Sequence, residues 1–434
     1  MDLLKSIFKG DKVIWIIFLC LCLISIIEVF SAASTLTYKS GDHWGPITQH
    51  SIILMVGAVV VVFLHNVPYK WFQVFPVFLY PISLVLLAFV TLMGIITGDR
   101  VNGAARWMTF MGLQFQPSEL AKMAVIIAVS FILSKRQDEE GANPNAFKYI
   151  MILTGLVLVL IAPENLSTAM LLFGVVFMMM FIGRVAAKKL LLLAGGLVLI
   201  VALGVGTVVA IPAKTLHSTP GLHRLETWQN RIKGFFDKDE VPAAKFDIDK
   251  DAQIAHARIA IATSHVVGKG PGNSIQRDFL SQAFSDFIFA IVIEEMGLIG
   301  GIFVVFLYLC LLMRAGRIAQ KCERTFPAFL VMGIALMLVS QAILNMMVAV
   351  GLFPVTGQPL PLISKGGTST LINCAYIGMI LSVSRYTAYL EEQKERNAQL
   401  QMQTEATGTT EAQTAAEPTA QVLNSDAEFE EEKK

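Results

Sequence analysis

The sequence predicts an all-α, polytopic membrane protein with about ten transmembrane helices and both termini in the cytoplasm. Three observations carry this reading. Hydrophobic residues fill 55% of the 434 positions and charged residues only 15%, whereas soluble domains carry roughly 25% charged residues; mean hydropathy is +0.62. The apolar residues gather into runs of membrane-crossing length near 13–33, 50–66, 72–96, 118–134, 148–163, 167–183, 190–211, 286–313, 328–350 and 369–388. Basic residues recur at alternate connections: Lys70; Lys135, Arg136 and Lys148; Arg184, Lys188 and Lys189; Arg314, Arg317, Lys321 and Arg324; Arg385. The excess of Lys and Arg on cytoplasmic loops then fixes the orientation.

The first run follows Lys5, Lys9 and Lys12, as a signal peptide would, but at roughly twenty residues it is long enough to span. It also carries Glu28 where a cleavage site of small residues would be sought, so it reads as a retained first helix. The net charge of +1 gives no electrostatic reason to expect a nucleic-acid partner. Cys20, Cys22, Cys310 and Cys374 lie in apolar runs and Cys322 in a cytoplasmic basic stretch, so neither disulfides nor a CxxC metal site is supported. The seven histidines form no HExxH-like cluster. Outer connections fall at about 97–117, 212–285 and 351–368. The middle one is far longer than structureless loops usually are and has nearly balanced charge, so it is either functional or partly folded against the membrane face. The domain division is therefore a membrane domain over 1–389 and an acidic tail over 390–434, the tail a helical extension passing into disorder.

Three outer stretches are too polar and too rich in Gly and Pro to be mere links. The first runs from Asn102-Gly103-Ala104-Ala105-Arg106-Trp107 to Gln116-Pro117-Ser118-Glu119-Leu120-Ala121-Lys122. Glu119 suits the positive end of the helix that Pro117 and Ser118 start. Lys122, one turn inside a membrane helix, needs a carboxylate or phosphate partner unless it snorkels to the headgroups. The second stretch runs from Gln253 through Gly268-Lys269-Gly270-Pro271-Gly272-Asn273-Ser274 to Ser285-Asp286-Phe287. Its glycines do not satisfy the GxxxxGK[ST] phosphate loop, which leaves the reading of a backbone-rich turn near a lipid-linked phosphate. Asp286 is placed at the start of the eighth span with Ser285 as N-cap: either a dipole-favoured first-turn acid or a general base at the lipid–water boundary. Glu294 and Glu295, two turns deeper, require at least one polar neighbour. The third stretch, Pro354-Val355-Thr356-Gly357-Gln358-Pro359-Leu360-Pro361-Leu362-Ile363-Ser364-Lys365-Gly366-Gly367-Thr368-Ser369, cannot be helical and must be covered by protein or line a cavity. Spans four, eight and ten all begin on the outer side, so three positive helix ends can surround one anionic headgroup.

Phe30-Ser31-Ala32, NGAARW at 102–107, QPSELAK at 116–122, GNSIQ at 272–276, DFIFA at 286–290, EEMG at 294–297 and PVTGQPLPLIS at 354–364 together resemble the SEDS (shape, elongation, division and sporulation) family, and its division branch most. The resemblance covers nearly all of the membrane part. It implies a SEDS-type bundle and a processive peptidoglycan glycosyltransferase that polymerises lipid II at the outer face of the cytoplasmic membrane, at the division septum. It also implies that Asp286, just before Phe-Ile-Phe-Ala, is the essential aspartate. Implied partners are lipid II, a membrane-anchored class B transpeptidase of the penicillin-binding type and other divisome proteins. Three places depart from the family pattern. Ser281-Gln282-Ala283-Phe284-Ser285 stands where members commonly have Pro-Glu-x-His-Thr, Lys365 replaces a tyrosine, and Glu164-Asn165-Leu166-Ser167-Thr168 replaces Pro-Asp-x-Gly-Thr.

The expected mechanism has Asp286 take the acceptor hydroxyl proton while the lipid pyrophosphate leaves. Arg100, Arg106, Lys122, Arg224, Arg231 and Lys365 are the candidate cations, and Trp107, Glu119, Gln253 and Ser364 the other candidate substrate contacts. No cofactor is required by the sequence. A divalent ion, Mg or Mn, bridging the pyrophosphate is the one weighed. The rival readings are a lipid II flippase, an elongation-type polymerase and a divisome scaffold without catalysis.

Overall fold

The computed structural model describes residues 9–32, 45–96, 107–110, 113–138, 141–210, 229, 248–280 and 284–407. Its helices are α1 (Lys12–Ala32), α2 (Gly45–Asn66), the one-turn α3 (Tyr69–Phe72), α4 (Phe75–Ile96), α5 (Pro117–Lys135), α6 (Pro144–Ile161), α7 (Leu166–Ile182), α8 (Ala187–Ala210), α9 (Ile248–Thr263), α10 (Ile288–Lys321), α11 (Thr325–Ala349) and α12 (Gly367–Thr407). Two small antiparallel hairpins join them: β1 (Met108–Phe110) with β2 (Leu113–Phe115) before α5, and β3 (Gln137–Asp138) with β4 (Gly141–Ala142) after it. Nine helices among the described residues are long and apolar enough to cross a membrane, α3 and α4 together making one span, and α7 is a shorter apolar helix of 17 residues. Each of the ten apolar runs in the sequence thus becomes one helix, and the chain is a multi-pass membrane protein.

The bundle is ordered by how much of each helix is covered. α5 is buried on every face from Ala121 to Val129, as expected of a helix apolar all round. It packs against α4, α6, α7 and α11; α11 packs in turn on α10 and α7, α12 lies along α2, and α1 and α9 both rest on α10. At the other extreme α8 touches α7 and leaves Leu191, Leu192 and Leu199 exposed, which suits a lipid-facing edge. Helix starts are fixed by short polar side chains. Asp11 Oδ1 accepts from the amides of Val13 (2.9 Å) and Ile14 (3.2 Å), Asn143 from Asn145 (3.0 Å) and Asn165 from Thr168 (3.2 Å). The other oxygen of Asp11 pairs with Arg314, tying the start of α1 to the inner half of α10.

α12 does not stop at 388. It continues to Thr407 as one helix of 41 residues, with Lys321–Glu391 (2.8 Å) and Lys394–Glu323 (2.5 Å) ion pairs holding its extension beside the α10–α11 connection. Residues 408–434 lie outside the described residues.

The described part of the long connection, 248–280, folds back on α10. After α9 the chain runs down α10 and meets it where that helix is broken: Gly297 has φ 71° and ψ −176°, a region only glycine enters readily. The backbone groups freed by the break are taken up by the loop. Lys269 N donates to Glu294 O (3.0 Å) and Gly270 N to Glu295 O (2.8 Å); on the far side Leu298 N and Ile299 N donate to His265 O and Val266 O, both at 3.3 Å. No water is available for these groups in lipid, so the loop supplies the bonds that a regular helix would have made. A Cβ on Gly297 would run into the backbone of Val266 and Gly268.

Gly297→Ala is therefore expected to destabilise the purified protein by about 1–3 kcal/mol from backbone strain alone. Gly155→Ala, in α6 where a Cβ meets nothing within 4 Å, should leave thermal unfolding in detergent unchanged or slightly raised. Equal melting of the two variants would show that the break is not sealed as described.

Candidate active site

The Gly-rich stretch at 268–274 forms a cradle, but for carboxylates of the protein itself. Glu294 accepts from the amides of Ile275 (3.2 Å) and Gln276 (3.3 Å), from Ser274 Oγ, and pairs with Lys269 Nζ at 2.6 Å. Glu295 accepts from the amides of Gly272 (2.9 Å) and Ser274 (3.2 Å) and from the hydroxyl of Ser31 on α1. Both carboxylates are fully buried, so the polar neighbours that the sequence demanded are present, from both elements. The expectation of a turn approaching a lipid-linked phosphate is corrected: these amides are already spent.

The proline-rich stretch before α12 is covered by protein, and its carbonyls are taken up helix by helix. Asn345 Nδ2 donates to Gln358 O (2.7 Å), Gln341 Nε2 to Pro359 O (3.0 Å), Tyr308 OH to Pro361 O, and Ser25 Oγ to Ile363 O (2.7 Å). The Gln358 side chain reaches Thr168 Oγ1 on α7 at 2.8 Å. Held from α1, α7, α10 and α11, the loop keeps Leu362 at φ 66°, a left-handed conformation a branched side chain adopts only under such constraint.

Asp286 sits where this loop meets the outer end of α10. The structure corrects one detail: α10 begins at Ile288 with Phe287 as N-cap and no side-chain cap bond, so Asp286 is in the turn ahead of the helix. The hydroxyl of Ser285 donates to Asp286 Oδ1 at 3.0 Å instead of capping the helix. The aromatic run after it starts the helix because Phe287, Ile288 and Phe289 are drawn into the core, leaving the half-buried acid at the boundary. Its carbonyl accepts from Asn345 (2.9 Å), the same amide that holds Gln358. Ser364 Oγ donates to Ser285 O (2.6 Å) and Lys365 N to Phe284 O (2.9 Å), with Lys365 Nζ 5.6 Å from the Phe284 ring centroid. The third helix end joins through Gln116, whose amide donates to Thr368 Oγ1 at 3.2 Å. The outer starts of α5, α10 and α12 are thus linked, as the sequence suggested.

Lys122 finds the carboxylate it required. It is fully buried and lies 2.8 Å from Glu119 and 2.9 Å from Gln341 Oε1. This pair bonds within the protein and continues through Gln341 into the proline-rich loop. Trp107 is exposed at the foot of the β1–β2 hairpin and Gln253 is half-buried on α9. Arg100, Arg106, Arg224 and Arg231 lie outside the described residues. Lys365 is half-buried, and that burial pulls its ammonium below the usual lysine range. Among the described residues no three His, Cys, Asp or Glu side chains are grouped so as to hold a metal ion. The divalent ion weighed from the sequence has no cage there, and Asp286 offers it a single carboxylate.

Sequence reasoning missed Gln341 and Asn345, which carry the connection between Lys122, the loop and Asp286. The signal was available: two carboxamides four residues apart lie on one face of an otherwise apolar membrane helix.

Against known proteins, the family model described as "Cell cycle protein" (FTSW_RODA_SPOVE) matches residues 11–389. The "Probable peptidoglycan glycosyltransferase FtsW" of Trichlorobacter lovleyi is 32% identical over 377 residues, covering 86% of this chain and 93% of that protein. The protein of the same description from Geobacter sp. strain M18 is 32% identical over 381 residues, 86% and 96% of the two chains. Among solved structures, a chain from work on "structural coordination of polymerization and crosslinking by a peptidoglycan synthase complex" superposes with TM-score 0.68 at 24% identity, covering 88% of this chain and 99% of that one. The rod shape determining protein RodA of Thermus thermophilus superposes with TM-score 0.58 at 23% identity, covering 87% and 97%. A match over nearly the whole membrane part, in sequence and in fold, makes the chain a member of the FtsW/RodA/SpoVE family of cell cycle proteins.

Proposed function

We propose that this chain is a peptidoglycan glycosyltransferase of the division type, polymerising lipid II into glycan strands on the outer face of the cytoplasmic membrane at the septum. The observation that carries the reading is a half-buried carboxyl group, Asp286, held at the junction of three outer helix starts with Lys365 bonded to its turn. Relatives described as peptidoglycan glycosyltransferases support the reaction class and their FtsW names the division branch.

In the reaction, the acceptor sugar hydroxyl attacks the anomeric carbon of the donor. A C–O bond forms there as the bond to pyrophosphate breaks, and the electron pair leaves with the lipid pyrophosphate. Asp286 receives the hydroxyl proton. Ser285, donating to Oδ1, orients the carboxylate; Asn345, holding the carbonyl of Asp286, fixes the turn. Lys365 and the positive ends of α5, α10 and α12 face the charge that develops on the leaving group. Glu119 and Lys122 neutralise one another and act through Gln341 as support for the loop. No step is routed through a metal ion.

The flippase reading is weakened by α10. A broken helix in a transporter exposes its ends to the cargo, whereas the ends at Gly297 bond to the loop at 265–270. The proposed partner is a membrane-anchored class B transpeptidase, supported by the likeness in fold to a chain of a complex described as coordinating polymerization and crosslinking. Polymerisation of purified lipid II by the purified chain, with and without that partner, is the direct test of function.

Two variants probe the chemistry. Asp286→Asn retains the turn, since the bond from Asn345 is to backbone, and should alter stability by at most about 1 kcal/mol. Strand formation should drop by roughly a hundredfold or more with lipid II binding retained, because the amide accepts no proton near neutral pH. Near-normal strand formation by this variant would reject the mechanism. Lys365 supplies the pH dependence. With its ammonium destabilised by burial, it loses its proton earlier on the alkaline limb than an ordinary lysine. Turnover should fall on that limb, and Lys365→Arg, which keeps its charge, should carry activity to higher pH. Overlapping pH–rate profiles would remove Lys365 from the leaving-group site.

A further inference from the structure

The buried charges around the break in α10 do not balance, and the unbalanced one is Glu28. It lies on α1 one turn before Ser31, is fully buried, and among the described residues neither carboxyl oxygen has a hydrogen-bond partner. Ser31 donates to Glu295 and accepts from Arg277 Nη1 at 2.9 Å, so this face of α1 is applied to the cradle. Within the cradle each deeper carboxylate has its cation: Glu294 has Lys269 at 2.6 Å, and Glu295 has Arg277 at 3.9 Å. Asp278, at 3.8 Å from Arg277, is half in solvent and draws on the same guanidinium from outside. Among the described residues, the charge acting on Glu28 is a like one, that of Glu295. Among the described residues three buried carboxyl groups thus stand against two side-chain cations, in a place where an uncompensated carboxylate is strongly disfavoured.

We propose that Glu28 is a binding site for one exchangeable monovalent cation, a proton or an alkali ion, that completes the charge of the cradle and holds α1 against the broken helix. One positive charge closes the balance and a divalent ion would overshoot it. Among the described residues both oxygens of Glu28 are acceptors without a donor, as a site for a cation requires. The site is separate from Asp286 and its occupancy sets how firmly Ser31, Glu295 and the loop at 272–277 stay joined. Since that loop caps α10 ahead of the Gly297 break, release of the cation loosens the base on which the outer end of α10 stands.

The test is thermal unfolding of the full chain in detergent, from mildly acidic to mildly alkaline pH, in choline chloride and in sodium or potassium chloride at matched ionic strength. Parent chain, Glu28→Gln and Glu28→Met are compared. If the charge is a proton, the parent loses several degrees of Tm relative to Glu28→Gln as pH rises, in choline and alkali salts alike, because deprotonation leaves the bare carboxylate. If it is an alkali ion, sodium or potassium raises the parent's Tm at fixed alkaline pH and leaves both neutral variants unmoved. Either outcome supports the site and identifies its occupant. Identical responses of parent and Glu28→Gln to pH and to salt would overturn it. So would failure of both neutral variants to yield monodisperse protein, since a side chain without charge should be tolerated where the charge needs a companion. The readout is independent of strand formation, so it stands or falls apart from the polymerase reading.

Discussion

A peptide group that leaves a helix inside a bilayer finds no water, and every bond it loses must be made good by protein. This constraint governs the outer half of the molecule. Two stretches, 264–275 and 354–366, lie among membrane helices without being helical, and both are bonded carbonyl by carbonyl or amide by amide to the helices around them. Asp286 lies between them, on the few residues that join the first stretch to α10. The acid is positioned because its neighbours have no alternative partners.

The polar side chains of the bundle sort themselves by the same rule. Glu294 and Glu295 serve the first stretch; Gln341, Asn345, Ser25 and Tyr308 serve the second. Lys122 and Glu119, which on the sequence alone invite a role at the substrate, bond to each other and to Gln341. A buried pair of this kind adds little net stability, but it is costly to break; the link from α5 to α11 is the bond from Lys122 to Gln341.

Much of this was legible beforehand. Ten apolar runs became ten helices because hydropathy over twenty residues leaves little else for a chain in lipid to do. The stretch from Pro354 had to be covered or line a cavity, and it is irregular and covered as far as Gly366, while its last three residues, Gly367 to Ser369, open α12 instead. Lys122 needed a carboxylate, a phosphate or a route to the headgroups, and it has Glu119. Local chemistry misled where tertiary bonds compete. Ser285 followed by an acid reads as an N-cap, yet its hydroxyl turns to Asp286 while Phe287 enters the core and moves the helix start two residues on. The glycines at 268–272 read as a turn near a phosphate, but Gly272 serves the carboxylate of Glu295, 23 residues away in sequence. The break at Gly297 had no local sign, since one glycine in an apolar helix is usually tolerated.

α12 joins the two sides of the membrane without interruption. Its first residues follow directly on Ser364 and Lys365, and its last described turn ends at Thr407, about 60 Å away at 1.5 Å per residue. A helix of this kind transmits displacement along its axis far better than a chain of loops. The restraints on its inner end are exposed ion pairs to Lys321 and Glu323, of a sort worth at most about 1 kcal/mol each. A displacement applied along the axis beyond Leu390 is therefore felt at the junction that holds Lys365.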